Sequence, residues 1–90
     1  MHAVVSTANI PGGATDERRK NLKENILPMV SGAPGFVAGY WLVPVADTGM
    51  SVVIFKDEAS AKAAAPSPGT DMGLGVTITT VEFREVLASA

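Results

Sequence analysis

The sequence predicts an α+β fold built on one antiparallel sheet, with two helices on one face and a second copy of the chain on the other. Two segments, Gly35–Val45 and Gly49–Lys56, are apolar or small at almost every position, which is typical of strands buried on both faces. A chain of 90 residues supplies enough helix to cover only one face of such a sheet. A partner chain is therefore the expected cover for the other face.

Composition and length limit the class of protein. The 90 residues are predicted to form one domain, residues 1–90, and the hydrophobic fraction of 47% favours an obligate oligomer. The net charge of −2 gives no general attraction to nucleic acid, and the absence of cysteine excludes a disulfide framework. The longest apolar run, Phe36–Ala46, is shorter than the roughly 20 residues of a membrane span, and no secretion signal is evident. We therefore predict a cytoplasmic protein that binds neither nucleic acid nor a membrane.

The first half of the chain is predicted to form a strand and a helix. The strand, His2–Asn9, ends at the loop signal Ile10–Gly13, and Thr15 can cap the helix that follows. Pro28 lacks an N–H and is expected to kink this helix or to begin its end. Four apolar residues at helical spacing are predicted to form its buried stripe: Leu22, Ile26, Met29 and Val30.

The middle of the chain is predicted to form a hairpin and a second helix. The hairpin joins the two apolar strands through a three- to four-residue loop at Ala46–Gly49. Asp57 is predicted to cap the alanine-rich helix Glu58–Ala65. Since this helix has no large apolar residue, it either packs very close to the sheet or leaves a cavity beside it.

The end of the chain is predicted to be a flexible loop, Pro66–Gly75, followed by a last strand, Val76–Leu87. The apolar face of that strand changes near Thr79-Thr80, which predicts a bulge or a strand that leaves its own sheet for a partner's. The resulting order, βαββαβ, is that of the ferredoxin-like arrangement. It implies a four-stranded antiparallel sheet with both helices on one face.

Three segments of the chain resemble a known superfamily: Ala33–Trp41, Ser51–Phe55 and Asp57–Ala61. They are similar to the dimeric α/β-barrel superfamily and, within it, to the antibiotic-biosynthesis-monooxygenase-like domains. This resemblance implies a homodimer whose two sheets pack face to face, with a ligand cleft between each sheet and its own helices. Some members of the family oxidise aromatic polyketides or quinols with dioxygen and without a cofactor.

Other members of the family cleave haem with an asparagine on the first strand, a tryptophan and a histidine. Asn9 matches the place of the asparagine. Trp41 lies on the second strand and His2 at the terminus, however, and both positions depart from the family's pattern. We therefore predict neither haem nor any other cofactor.

Four residues are candidates for ligand binding: Asn9, Tyr40, Trp41 and His2. Tyr40 and Trp41 point to opposite faces of their strand, so one of them should line the cleft and the other should face the partner sheet. Asn9 either hydrogen-bonds the nearby backbone in a turn or binds the ligand. His2 is the only histidine, and no carboxylate cluster beside it has the spacing of metal ligands, so no metal site is predicted.

Arg18 and Arg19 are basic residues near the predicted cleft. They lie one turn before Leu22 on the helix, from which they could attract a carboxylate or phenolate ligand. The competing interpretation is a solvated cluster of charge together with Lys20 and Lys23.

Three functions are open at this point. The first is a module that binds a small apolar or aromatic ligand between sheet and helices without chemistry of its own. The second is a cofactor-independent monooxygenase acting on a phenolic or quinol substrate, in which the substrate supplies the electrons and few catalytic residues are needed. The third is a purely structural or regulatory dimer. The sequence does not decide whether the protein is an enzyme, because one fold supports many functions.

Overall fold

A computed structural model describes residues 1–90 as one sheet with helices on one of its faces. The sheet has five antiparallel strands in the spatial order β2-β3-β1-β5-β4. The strands are β1 (His2–Asn9), β2 (Phe36–Val45), β3 (Thr48–Phe55), β4 (Asp71–Gly73) and β5 (Val76–Glu85). The helices are α1 (Asp16–Asn21), a π-helical segment (Leu22–Ile26), α2 (Leu27–Ser31) and α3 (Glu58–Ala64). None of these helices is long and apolar enough to cross a membrane.

The predicted four-stranded ferredoxin-like arrangement, βαββαβ, is wrong because the sheet has five strands. The additional strand is β4, which lies within Pro66–Gly75, the segment predicted to be a flexible loop. It forms a tight hairpin with the start of β5. Leu74 and Gly75 have φ values of 54° and 79°, as the two central residues of a type I′ turn require. A strand of three residues is too short to produce an alternating pattern in the sequence.

The first helical region begins as the sequence predicts. Thr15 has extended backbone, and its side chain accepts a hydrogen bond from the backbone N–H of Arg18 at 3.2 Å. The irregularity predicted at Pro28 is a π-helical turn directly before α2, in which Pro28 lies in the first turn. The helix then continues to Ser31 and ends there, three residues after the proline.

The π-helical turn changes which residues face the sheet. Its hydrogen bonds run from residue i to i+5, so each turn holds more residues than a turn of α-helix. Leu22 and Ile26 of the predicted stripe lie on the sheet side, and Val30 packs against the core. Met29 is 64% exposed, so its predicted place in the buried stripe is wrong.

The connection between β2 and β3 is shorter than predicted. It is a two-residue turn, Ala46-Asp47, and both residues have positive φ, 50° and 63°. Gly49 is therefore a buried residue of β3 and not part of the loop. A Cβ at Gly49 would overlap Cδ1 of Ile10, so glycine at this position makes room for the isoleucine side chain.

Irregularities in two strands decide which side chains share a face. In β5 the register against β1 shifts at Thr79-Thr80, which confirms the bulge predicted there. In β2 the register against β3 shifts directly after Phe36. Phe36 consequently shares the helix-covered face with Trp41, whereas simple alternation along the strand places it with Tyr40.

The core lies between α3 and the centre of the sheet. Its buried side chains are Val4, Val53, Phe55 and Ala61. Phe55 is 2% exposed and Ala61 is 0% exposed. Of the two arrangements that the sequence allows for the alanine-rich helix, close packing on the sheet is the one observed.

The face of the sheet away from the helices is exposed in a single chain. Tyr40 is 61%, Leu42 51% and Met50 44% exposed on this face. Leu42 and Met50 are direct neighbours across β2 and β3. A threonine cluster at the β1–β5 junction adds hydroxyl groups, with Thr7 Oγ1 2.8 Å from Thr79 Oγ1.

Candidate ligand-binding cleft

A cleft opens between the sheet and the first helical region. Its volume is about 180 Å³, and 13 of its 21 lining residues are hydrophobic. Leu22 and Ile26 line it from the helical side, and Ile78 of β5 lies in its floor. No residue of α3 belongs to the lining. The cleft is therefore separate from the close-packed core under that helix.

The floor of the cleft is made largely of small residues on neighbouring strands: Ser6, Ala8, Gly49 and Ser51. Ser6 lies opposite Ser51 and Ala8 lies opposite Gly49 across β1 and β3. Protein interiors normally close up until facing side chains touch. Four small residues at adjoining positions leave space that the helix above them does not fill.

Two serine hydroxyls are available in this floor. Ser6 is only 4% exposed, and neither its hydroxyl nor that of Ser51 takes part in a side-chain hydrogen bond. The only buried side-chain nitrogen or oxygen atom without a hydrogen-bond partner is Nδ1 of His2, so both serine hydroxyls keep contact with the open space of the cleft. The pair can therefore hydrogen-bond a polar substituent of a molecule in the cleft.

Trp41 borders the cleft and lies across Gly39. A Cβ at Gly39 would lie 2.7 Å from Cζ3 of the indole, so glycine is needed to seat the ring in this position. Trp41 also borders a second, more open hollow beside α2, of about 490 Å³. As the only tryptophan in the chain, it provides a fluorescence signal at the cleft.

Arg18 closes one end of the cleft. Its Nε–H donates to Leu74 O at 3.0 Å, and Nη1 donates to Gly13 O at 2.7 Å and to Pro11 O. These hydrogen bonds connect the loop after β1 to the turn between β4 and β5. Arg19 also belongs to the lining. Both arginines thus lie at the cleft.

The structure places one of the four predicted ligand-binding residues, Trp41, in the lining. Tyr40 points to the opposite face of the sheet and is 61% exposed. Asn9 is exposed at the end of β1, on the opposite side of the strand from the cleft floor. His2 lies at the other end of β1, where its Nε2 is 3.8 Å from Oε2 of Glu58. The four residues do not surround one cavity.

The carboxyl groups with shifted pKa values lie at α3, away from the cleft. Hydrogen bonds from the side chain and backbone of Ser60 lower the pKa of Asp57. A hydrogen bond and the charge of Lys62, 2.7 Å away, lower the pKa of Glu58.

Nδ1 of His2 is buried without a hydrogen-bond partner. No group of three or more His, Cys, Asp or Glu side chains is arranged to hold a metal ion.

The two serines leave a signal in the sequence, because each interrupts the apolar inward face of its strand. Ser6 shares the inward face of β1 with Val4, and Ser51 shares the inward face of β3 with Val53. A polar residue among buried apolar ones is an informative departure from the pattern. Only the strand register shows that the two hydroxyls are neighbours.

The structure is that of a small α+β domain with a mostly apolar cleft of about 180 Å³. Comparisons with protein-family models, curated proteins and solved structures found no match. The resemblance to the antibiotic-biosynthesis-monooxygenase-like domains therefore stays a prediction from the sequence.

Proposed function

We propose that this protein binds a small apolar or aromatic molecule in the cleft between its sheet and its first helical region. The observation that carries the proposal is a partly enclosed, mostly hydrophobic space of about 180 Å³ with a few polar groups in its walls. In another protein, an apolar cavity of about 150 Å³ binds benzene. Aliphatic side chains and the indole of Trp41 supply apolar contact, and Ser6 and Ser51 orient a polar substituent.

The cofactor-independent monooxygenase stays a hypothesis without a specific observation in its favour. The charged side chains in the lining are Arg18 and Arg19. Because a guanidinium group stays protonated in proteins, neither can act as a general base. A binding module needs no such group, and a purely structural dimer gives no reason for the cleft.

Titration with toluene and indole, followed by backbone amide NMR, tests the binding proposal. Saturable shifts are expected at residues of the cleft, with Ser6, Ala8 and Ile78 among them. Ala14→Leu fills the mouth of the cleft and should weaken binding, whereas the same change at the exposed Ala63 of α3 should not. Shifts that do not saturate, or equal binding by both variants, would contradict the proposal.

Native mass spectrometry of gently purified protein addresses the natural ligand. A protein mass increased by that of one small molecule per chain supports the proposal and gives the chemical class of the ligand. Loss of that mass in Ala14→Leu, but not in Ala63→Leu, would assign the molecule to the cleft.

We also propose that a second copy of the chain covers the open face of the sheet. Support comes from Tyr40, Leu42 and Met50, which are 44% to 61% exposed in one chain. An apolar patch of this kind is typical of an interface, and obligate interfaces are apolar at their centres. Glu82 and Arg84 on the same face pair with each other at 3.2 Å, so two copies would meet without unbalanced charge.

Light scattering after size exclusion tests this assembly. The wild-type protein is expected to be a dimer, and Tyr40→Glu is expected to separate it because a buried unpaired charge is costly. Met29→Glu adds the same charge on α2, where Met29 is 64% exposed, and should leave the dimer intact. A monomeric wild-type protein at high micromolar concentration would contradict the proposal.

We also propose that the protein is located in the cytoplasm, as the sequence predicts. Fractionation of cells that express the protein at native levels tests it.

A further inference from the structure

Arg18 is a cation whose position is fixed but whose charge is not balanced. Its hydrogen bonds go to the backbone carbonyls of Pro11, Gly13 and Leu74, which carry only partial charges. The ion pairs of the protein lie elsewhere, on α3 with His2 and on β5. A guanidinium held in this way is preorganised to bind an anion.

The guanidinium also keeps donors for a further acceptor. Its Nη2 takes part in none of the hydrogen bonds of Arg18. The only buried side-chain nitrogen or oxygen without a partner is Nδ1 of His2, so Nη2 is accessible. A Cβ at Gly75 would lie 3.2 Å from Nη2, and glycine there leaves the approach open.

The lining of the cleft is positively charged as a whole. It contains Arg18 and Arg19 but no aspartate or glutamate, in a chain whose net charge is −2. The acidic residues of the adjoining turns, Asp47 and Asp71, accept hydrogen bonds from backbone N–H groups at 3.2 and 2.8 Å. Their carboxylates are thus engaged with the backbone and form no ion pair with either arginine.

We propose that the ligand of this cleft is a small monoanion, an aromatic or apolar carboxylate or phenolate. Its charged oxygen accepts hydrogen bonds from Nη2 of Arg18, and its apolar part lies on the floor of the cleft. This inference rests on the ligand-binding function proposed above and specifies the class of ligand. A hydrogen bond between charged groups is stronger than a neutral one, so an anion should bind about tenfold or more tightly than a neutral molecule of the same shape.

Benzoate and benzamide form a matched pair of probes, and toluene reports on the apolar cleft alone. Each is titrated by NMR into the wild-type protein, Arg18→Gln and Lys20→Gln. Lys20 is exposed on the same helix and does not line the cleft, so it controls for the loss of one positive charge. The wild-type protein and Lys20→Gln should prefer benzoate by about tenfold or more. Arg18→Gln should lose this preference and keep its affinity for toluene.

The outcomes separate the two proposals. Equal affinity for benzoate and benzamide, with toluene bound, would overturn the anion preference and leave the apolar binding function standing. No saturable binding of any probe would overturn both. A preference that persists in Arg18→Gln would show that Arg18 is not the anion-binding group.

Salt dependence gives a second measurement that needs no variant, because Arg18→Gln also removes hydrogen bonds between two loops. The preference of the wild-type protein for benzoate should decrease between about 0.05 and 0.5 M sodium chloride, since charge interactions at a partly open site are screened. The affinity for toluene should not decrease over this range. A preference that is independent of salt would contradict an ionic contact.

Discussion

The two ends of the helix-covered face are packed in opposite ways. Under α3, large sheet residues meet the smallest helix residues: Val53 and Phe55 pack against Ala61, which is 0% exposed. Under the π-helical segment, small sheet residues such as Ser6 face Leu22 across an open cleft. One end of the same layer is a core, and the other is an open cleft.

This difference shows that complementary volume, and not hydrophobicity alone, decides between a core and a cleft. Both ends are mostly apolar, and helix and sheet residues contribute at each. An interior closes only where the side chains of facing layers together fill the distance between them. Alanine lets α3 approach the sheet, whereas the small residues of the cleft floor do not reach the first helical region.

The largest expected effect comes from truncating the packed end. Phe55 is 2% exposed, so Phe55→Ala should lower the free energy of unfolding by about 3–5 kcal/mol. That is a large part of the about 5–15 kcal/mol typical of a small domain. Urea denaturation measures the loss. Phe83→Ala is the control, because Phe83 is 41% exposed and its truncation should cost much less. Similar losses at both positions would contradict the assignment of the core.

Enlarging an alanine side chain also tests the contrast between the packed end under α3 and the open cleft. Ala61→Leu should lower the free energy of unfolding by about 1–3 kcal/mol, because no space is left beside a residue that is 0% exposed. Ala14→Leu at the cleft should change it by no more than about 0.5 kcal/mol. Thermal denaturation of both variants, with Ala63→Leu as the exposed control, measures the difference. A neutral Ala61→Leu would show that the α3 end is also open.

A smaller effect is expected at the boundary between core and cleft. Gly39→Ala places a Cβ 2.7 Å from the Trp41 indole, which must move. We expect a loss of about 1 kcal/mol and a shift of the tryptophan emission, since the ring can turn toward open space. In a Trp41→Leu background the same glycine change should cost less. An equal cost in both backgrounds would show that the contact with Trp41 is not the reason for glycine.

The smallest expected effect is a difference in how the caps of α3 and α1 make stability depend on pH. Asp57 caps α3, and its hydrogen bonds with Ser60 lower its pKa. Because the pKa of Asp57 is lower in the folded state, its carboxylate stabilises the fold at pH values above the unfolded pKa of about 3.9. This stabilisation is lost as the pH falls through the folded pKa. Thr15, the cap of α1, does not titrate.

Denaturation in urea between about pH 5 and pH 3 measures this response. Asp57→Asn keeps a capping oxygen but cannot titrate, so its stability should decrease less on acidification than that of the wild-type protein. Thr15→Ser keeps a neutral cap and should follow the wild-type protein. Identical profiles for Asp57→Asn and the wild-type protein would contradict a role for the Asp57 carboxylate.

The local signals of the chain were the most predictable part of the structure. The bounds of β1, the caps at Thr15 and Asp57 and the bulge at Thr79-Thr80 follow from residue types at neighbouring positions. A capping side chain bonds to the backbone only two or three residues away, and a change of apolar face is visible along one strand. Such features need no knowledge of the rest of the fold.

Features that depend on distant contacts were not predictable in the same way. β4 is three residues long and exists because it pairs with β5, and the turn Ala46-Asp47 adopts positive φ without glycine. Met29 lies outside because the π-helical turn changes the phase of the helix. Of the four predicted site residues, only Trp41 lines the cleft. For Arg18 the sequence left two interpretations open, a place at the cleft and a solvated cluster of charge. Ser6 and Ser51 were not predicted as site residues.

The sequence by itself determined the helix caps, most strand positions and the apolar character of both faces of β2 and β3, because these depend on neighbours along the chain. Only the tertiary structure decided that Ser6 lies beside Ser51 and Ala8 beside Gly49, and that Arg18 stands at the end of the space above them. The physical reason is that an unfilled volume belongs to no single segment. It arises where side chains from separate strands and a helix meet and together are too small to close the gap between them.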